Sequence, residues 1–209
     1  MKVLNLYSCL GGNRYLWKDC QVTSVEIDPS LCEIYSNRFP GDEIIVEDAH
    51  KFLLNNYGDF DFIWSSPPCQ THSRARFWRH SKDNPIYPDL KLYQEIIFLN
   101  THFKGKFVVE NVKPYYDPLI NPTLKIDRHL YWTNFKINKP QNVRRVGVCQ
   151  GKDEIKRLED FHKVSIQNYK GTQRRDKVLR NMVDYEIGNH IFNIAKGINE
   201  NKTNQLKMF

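Results

Sequence analysis

The sequence predicts an open α/β domain, doubly wound around a mostly parallel sheet. Three observations predict it. Short apolar runs are nearly continuous in hydrophobicity, helix-like stretches alternate with them, and chemistry-bearing residues stand directly after the runs.

The apolar runs are Val3–Tyr7, Val22–Ile27, Glu43–Val46, Asp61–Trp64 and Phe107–Val109. Rich in Val, Ile and aromatic residues, they suit strands covered on both faces. Helix-like segments lie between them at Leu10–Trp17, Pro29–Asn37, Ala49–Asn55 and Leu90–His102. In the last, Leu92, Tyr93, Ile96, Ile97 and Leu99 form a broad apolar stripe. Asp28-Pro29 combines a capping carboxylate with a proline at the first turn, a good helix start. Residues 1–112 thus read as a cofactor-binding and catalytic α/β unit.

Residues 113–172 change character, with Pro114, Pro118, Pro122 and Pro140 breaking the alternation and basic residues crowding around Arg144, Arg145, Lys152, Lys156 and Arg157. They read as a small, irregular, substrate-facing region. From Gln173 a helical pattern returns through Val178, Met182, Val183, Ile187, Ile191, Ile194 and Ile198, with Gly188 as a candidate interruption. Residues 173–209 read as a helical segment returning to the first unit, with a polar, frayed tail after Ile198.

Composition bounds the partners. The 209 residues carry 31 Lys and Arg against 24 Asp and Glu, and the resulting +7 favours a polyanion over an acidic protein or neutral metabolite. Solubility alone is the competing explanation. Cys9, Cys20, Cys32, Cys69 and Cys149 are odd in number, and none sits at zinc-ligand spacing. A reducing, cytoplasmic setting and a monomer without metal are expected. The apolar run at the N-terminus is too short for a signal peptide or membrane span.

Ligands of such sheets bind beyond the carboxyl ends of the strands. After the first run, Tyr7-Ser8-Cys9-Leu10-Gly11-Gly12 lets the backbone approach a ligand, although Gly-Gly is also an ordinary turn. After the second, Glu26 suits a ribose diol and Asp28 suits helix capping. After the third, Asp48 suits either an adenine amino group or a helix cap. After the fourth, Ser65-Ser66-Pro67-Pro68-Cys69-Gln70 holds a cysteine on a rigid turn, and the fifth ends in Glu110-Asn111-Val112. Most free cysteines are buried small hydrophobes; this one is exposed to the crevice beside a carboxyl group. Thiol and carboxylic acid together suit addition chemistry on a pyrimidine. A thiolate added at carbon 6, with a protonated group on ring nitrogen 3, makes carbon 5 an enamine-like nucleophile. A carboxyl group in a poorly solvated pocket keeps its proton for that task.

These blocks resemble the cytosine-5 DNA methyltransferase family. Tyr7 to Gly12, Glu26, Asp48, Pro68-Cys69-Gln70, Glu110-Asn111-Val112 and Gly188-Asn189 stand in the family's order, over residues 1–112 and, loosely, 173–196. The resemblance implies a methyltransferase-type fold, S-adenosyl-L-methionine as cofactor, Cys69 as nucleophile and Glu110 on a flipped cytosine. It implies cofactor contacts from Tyr7, Ser8, Leu10, Gly11, Gly12, Glu26, Ile27, Asp48 and Pro68, with Asn189 closing over them. Pro140 to Arg145 resembles the family's Gln-Asn-Arg-x-Arg block with Val143 at the first Arg, which puts Arg145 in the catalytic set. Contact with phosphates is the alternative for this basic segment. Cys9 replaces the family's first loop glycine, and the usual large target-recognition domain is missing.

The expected partner is DNA, double-stranded with the target base flipped out. Arg74, Arg76, Arg79, His80, Arg144, Arg145 and Arg157 are the candidate phosphate contacts, and Arg74 to Arg79 interleaves basic and aromatic residues. Rival readings are the RNA branch of the family, an amino methyltransferase suggested by Ser66-Pro67-Pro68, and a silent DNA-binding module. The last has no chemical need for Cys69 with Glu110. Walker and HExxH motifs do not occur.

Overall fold

The computed structural model describes residues 1–75, 85–148 and 151–198. Seven strands form one sheet: β1 (Lys2–Leu6), β2 (Gln21–Glu26), β3 (Glu43–Val46), β4 (Phe62–Ser65), β5 (Lys106–Val112), β6 (Leu124–Ile126) and β7 (His129–Thr133). Their order is β3-β2-β1-β4-β5-β7-β6. The first five are parallel, and β7 runs antiparallel to both β5 and β6. The expected doubly wound, mostly parallel fold is therefore present.

Side-chain alternation explains why the central strands read as continuous apolar runs. Leu4, Leu6, Val25, Ile63, Phe107, Val109, Leu130 and Trp132 point to one face. There they meet α2 (Ala49–Asn56) and α3 (Lys91–His102) through Phe52, Leu53, Ile96 and Leu99. Val3, Val22, Phe62, Trp64, Val108 and Tyr131 point to the other, against Trp17 and α6 (Tyr185–Ala195). α1 (Pro29–Arg38) covers this second face too: the Ser24 hydroxyl donates to Tyr35 at 2.6 Å. Asp28 caps α1, accepting from the Ser30 amide at 2.9 Å, with Pro29 at the first position as expected.

The sequence expectation differs from the structure in three places. Leu10–Trp17 is a chain of turns, not a helix. Cys9 at φ 49° and Gly11 at φ 67° are left-handed, and single i→i+3 bonds such as Tyr15 N–H to the Gly12 carbonyl replace a helical ladder. Residues 124–133, expected within the irregular region, supply β6 and β7 and complete the sheet. Beyond Gln173 the helical pattern splits into α5 (Arg175–Arg180) and α6, and α6 runs unbroken through Gly188. That glycine marks a close crossing: a Cβ there would collide with the Asn13 backbone, and the Trp17 indole donates to its carbonyl at 3.1 Å. The remaining helix, α4 (Glu154–His162), packs on α5 through Leu158 and Leu179. No helix among the described residues is long and apolar enough to cross a membrane.

Candidate active site

Strand order reverses between β1 and β4, so the crevice lies between the loops after these two strands. Tyr7, at φ 55°, turns its hydroxyl onto Glu95 of α3 at 2.6 Å. Glu95 is fully buried; it also accepts from the Ser65 hydroxyl and meets His50 Nδ1 at 2.9 Å. One carboxylate thus pins the ends of β1 and β4 to the same helix. The turn continues with Cys9, whose amide donates to Glu26 at 2.9 Å. A Cβ on Gly11 would run into the Phe39 and Tyr35 rings, and one on Gly12 into the Val183 carbonyl.

Glu26 ends β2 and accepts three amides, from Cys9, Ile27 and Asp28. Burial raises its pKa against the pull of those amides. Its neighbour Ile27 is 67% exposed, a large apolar side chain left open at the crevice.

The loop after β4 is held from the next strand. Asn111 donates to the Pro67 carbonyl at 2.8 Å, and the Cys69 carbonyl accepts from the His72 and Ser73 amides. Cys69 Sγ lies 3.6 Å from Asn181 Oδ1. Burial, followed by the charge of Glu110, raises the Cys69 thiol to about 11. Glu110 lies two residues before the carboxyl end of β5, is 5% exposed and is raised to about 7 by burial, against the Ser66 hydroxyl and the Arg128 charge. His129, the first residue of β7, brings Nε2 to 3.6 Å from Glu110 Oε1.

Tyr7, Glu26, Ile27, Pro68, Cys69 and Glu110 line one cavity of about 170 Å³. Gln173, Val178 and Asn181, arriving from the far end of the chain, close it. A second hollow of about 880 Å³ shares Cys69, Gln70, Val112 and Asn181 with the first. Arg74, Lys113, Lys125, Arg128, Lys177 and Arg180 line it, with Asp127 among them. Lys125 and Arg74 lower the pKa of Lys113, the mark of cations crowded together without enough counter-charge. Thiol and carboxyl group therefore sit where a narrow apolar slot opens into a basic cleft.

The other sequence-predicted residues fall elsewhere. Ser8, Leu10, Gly11, Gly12, Asp48 and Asn189 do not line either hollow. Leu10 is fully buried in a cluster with Leu31 and Met182. Asp48 caps α2 through Oδ1, accepting from His50 and Lys51. Asn189 follows the Gly188 crossing on α6. Arg144 does not face the cleft: it pairs with Asp184, donates to Tyr185 Oη at 2.7 Å and stacks on the Phe161 and Tyr185 rings. A nearby acid thus claims a cation that charge counting assigned to phosphate. Arg145 lies beyond the cavity, 3.6 Å from Asp127 on the cleft. Arg157 is exposed on α4, away from the cleft lining, while Arg74 is on it. Arg76, Arg79, His80 and Cys149 lie outside the described residues.

Sequence reasoning missed His129, Gln173, Asn181, Lys113, Lys125, Arg128 and Lys177. The cue for Lys125 and Arg128 was short: Lys125 is the middle residue of the three-residue β6, and Arg128 sits in the turn between it and the five-residue β7. Gln173 and Asn181 bear no local cue, since only tertiary packing brings them to the cavity that Cys69 lines.

The family model for C-5 cytosine-specific DNA methylase matches residues 1–126. A type II methyltransferase, M1.HphI of Haemophilus parahaemolyticus, is 31% identical over 99 residues, which is 44% of this chain and 26% of that protein. The chain thus spans about a quarter of that relative's length. Among solved structures, DNMT2 of Spodoptera frugiperda aligns with TM-score 0.41 and 24% identity over 56% of this chain and 37% of that one. The Entamoeba histolytica methyltransferase EhMeth aligns with TM-score 0.36 and 17% identity over 54% and 38%. With its model matched across more than half of the sequence, the chain belongs to the C-5 cytosine-specific DNA methylase family.

Proposed function

We propose that this protein methylates carbon 5 of a cytosine in DNA through a transient bond to Cys69, with S-adenosylmethionine as methyl donor. One observation carries the reading: Cys69 and Glu110 line the same small cavity, and Glu26 lines it too. Neither alone would serve. The thiol supplies the attacking atom and the carboxyl group supplies the proton on the other side of the ring.

The residues present fit the donor. Three amides fix the Glu26 carboxylate yet leave acceptor capacity for a ribose hydroxyl. Ile27 offers an open apolar side chain to a purine. Ser8 Oγ is buried next to this loop without a hydrogen-bond partner. When bound, S-adenosylmethionine supplies an electrophilic methyl group. The chain's own residues prepare its acceptor. Cys69 thiolate adds to carbon 6 while Glu110 gives its proton to nitrogen 3, and the electron pair moves to carbon 5. Once carbon 5 carried a methyl group, nitrogen 3 would return its proton to Glu110 and carbon 5 would lose its own to solvent, expelling the Cys69 thiolate and restoring the ring. The base must leave the duplex to enter so narrow a slot, at a cost of a few kcal/mol. Arg74, Lys113, Lys125 and Lys177 lie where a backbone beside that slot would pass.

The test uses labelled S-adenosylmethionine with DNA or RNA carrying 5-fluorocytosine. Fluorine at carbon 5 prevents the final proton loss, so a denaturant-resistant adduct is expected with DNA, and none with Cys69→Ala. Labelled product on the amino nitrogen, or adducts with RNA alone, overturns the proposal.

A further inference from the structure

Glu110 has a neighbour from a different strand, and β-sheet register explains how it arrives. β7 returns antiparallel along β5, pairing Glu110 with Tyr131 and Val112 with His129. Positions 110, 112, 129 and 131 therefore share one face, and His129 stands diagonal to Glu110 at the strand's carboxyl end. The imidazole is buried, lines the cavity with Cys69 and Glu110, and points Nε2 at Oε1 across 3.6 Å. That gap is slightly too long for a hydrogen bond, and a small rotation closes it.

We propose that His129 is a positioning residue, whose Nε2–H holds one oxygen of Glu110 so that the other presents its proton to the pyrimidine. This rests on the role given to Glu110 above and deepens it. A neutral ring suits the task better than a cation. Burial and the neighbouring Arg128 hold His129 at about 3, so it orients the carboxyl group without a full positive charge that would strip its proton. Other groups also face Glu110. The Ser66 hydroxyl, from the β4 loop, hydrogen-bonds Glu110 while its oxygen accepts from the Trp64 indole at 3.0 Å, so it acts beside His129 and from a different strand. Cys69 is the reacting group. Tyr131 Oη is buried without a partner, and Arg128 donates to the Arg180 carbonyl at 2.7 Å.

Three variants test this: His129→Leu removes the donor, His129→Gln keeps a neutral N–H, and His129→Arg installs a permanent charge. Each is assayed for kcat, for KM of S-adenosylmethionine and for the pH dependence of kcat/KM, beside Glu110→Gln. We expect His129→Leu to lose at least tenfold in kcat at unchanged KM, and His129→Gln to recover part of it. His129→Arg should move the acid-side break of the profile down by about one unit or more. Binding of S-adenosylhomocysteine reports folding; should the leucine variant fail it, the glutamine and arginine variants decide. Wild-type kcat and an unmoved break in the folded variants, with Glu110→Gln impaired, overturn the positioning role alone. Wild-type activity in Glu110→Gln overturns the underlying reading instead.

Discussion

Replacing Glu110 by glutamine should reshape the pH profile as well as slow the enzyme. The thiol is raised to about 11 and the carboxyl group to about 7, so between these values the pair holds one proton, and it sits on sulfur. Addition requires the opposite arrangement, thiolate beside carboxylic acid. Both arrangements carry the same total of protons, so their ratio does not change with pH across that window. The separation makes the reactive form about one part in ten thousand, a ground-state cost of about 5 kcal/mol that base binding must offset. In wild type, log kcat/KM should climb with unit slope below about pH 7 and flatten above it. In Glu110→Gln the position has no proton to trade. Only the thiol then titrates, and losing the adjacent negative charge lowers its pKa. The variant's profile should therefore climb without a break through pH 7 and continue past pH 8, from a level about a hundredfold lower or more. Methyl incorporation measured from pH 5.5 to 9.5 at subsaturating DNA decides this. A wild-type plateau that persists below pH 6, or a break near 7 retained by the variant, refutes the reasoning.

Arg144→Ala should cost about 3 kcal/mol in thermal or denaturant unfolding, because it leaves the mostly buried Asp184 without its partner and removes two ring contacts. The same variant should leave the salt dependence of DNA binding unchanged; a shallower slope would return Arg144 to the phosphate contacts. Lys113→Ala with Lys125→Ala should lower the slope of log affinity against log salt by about 1.8, read by fluorescence anisotropy. An unaltered slope would take the basic cleft out of the DNA path.

Legibility in the sequence followed how local each cause was. β1, β4 and the first half of β5 announced themselves because strands covered on both faces have no polar alternation to blur them; β3, on the sheet edge and only partly covered, was legible from its Ile44-Ile45-Val46 run. β6 and β7 did not: three and five residues, with Lys125, Arg128 and His129 interspersed, give no run long enough to stand out. Leu10–Trp17 carries helix-like spacing, but two left-handed residues at its start divert the backbone, and spacing is blind to φ. In the site, Glu26 ends β2, Glu110 lies near the end of β5 and Cys69 stands in the loop after β4, so topology alone brings these recognisable positions to one cavity. The glycines of the first loop were assigned to ligand approach; the structure gives them packing duties against Phe39, Tyr35 and Val183. Arg144 shows the limit of counting charge, since its carboxylate partner lies forty residues onward, where no window of sequence connects them.

The crossing of α6 over the first loop has a consequence for biosynthesis. All five parallel strands, with both reacting groups, have been synthesised once Val112 is added. Yet Gly12 rests on the Val183 carbonyl, and Asn13 and Trp17 rest on Gly188. A nascent polypeptide halted before Met182 would own its thiol and its acid but leave the turn beside them without a backing. Seating of the first loop in this molecule waits on about seventy residues beyond the last parallel strand, which bring the clamp that backs it.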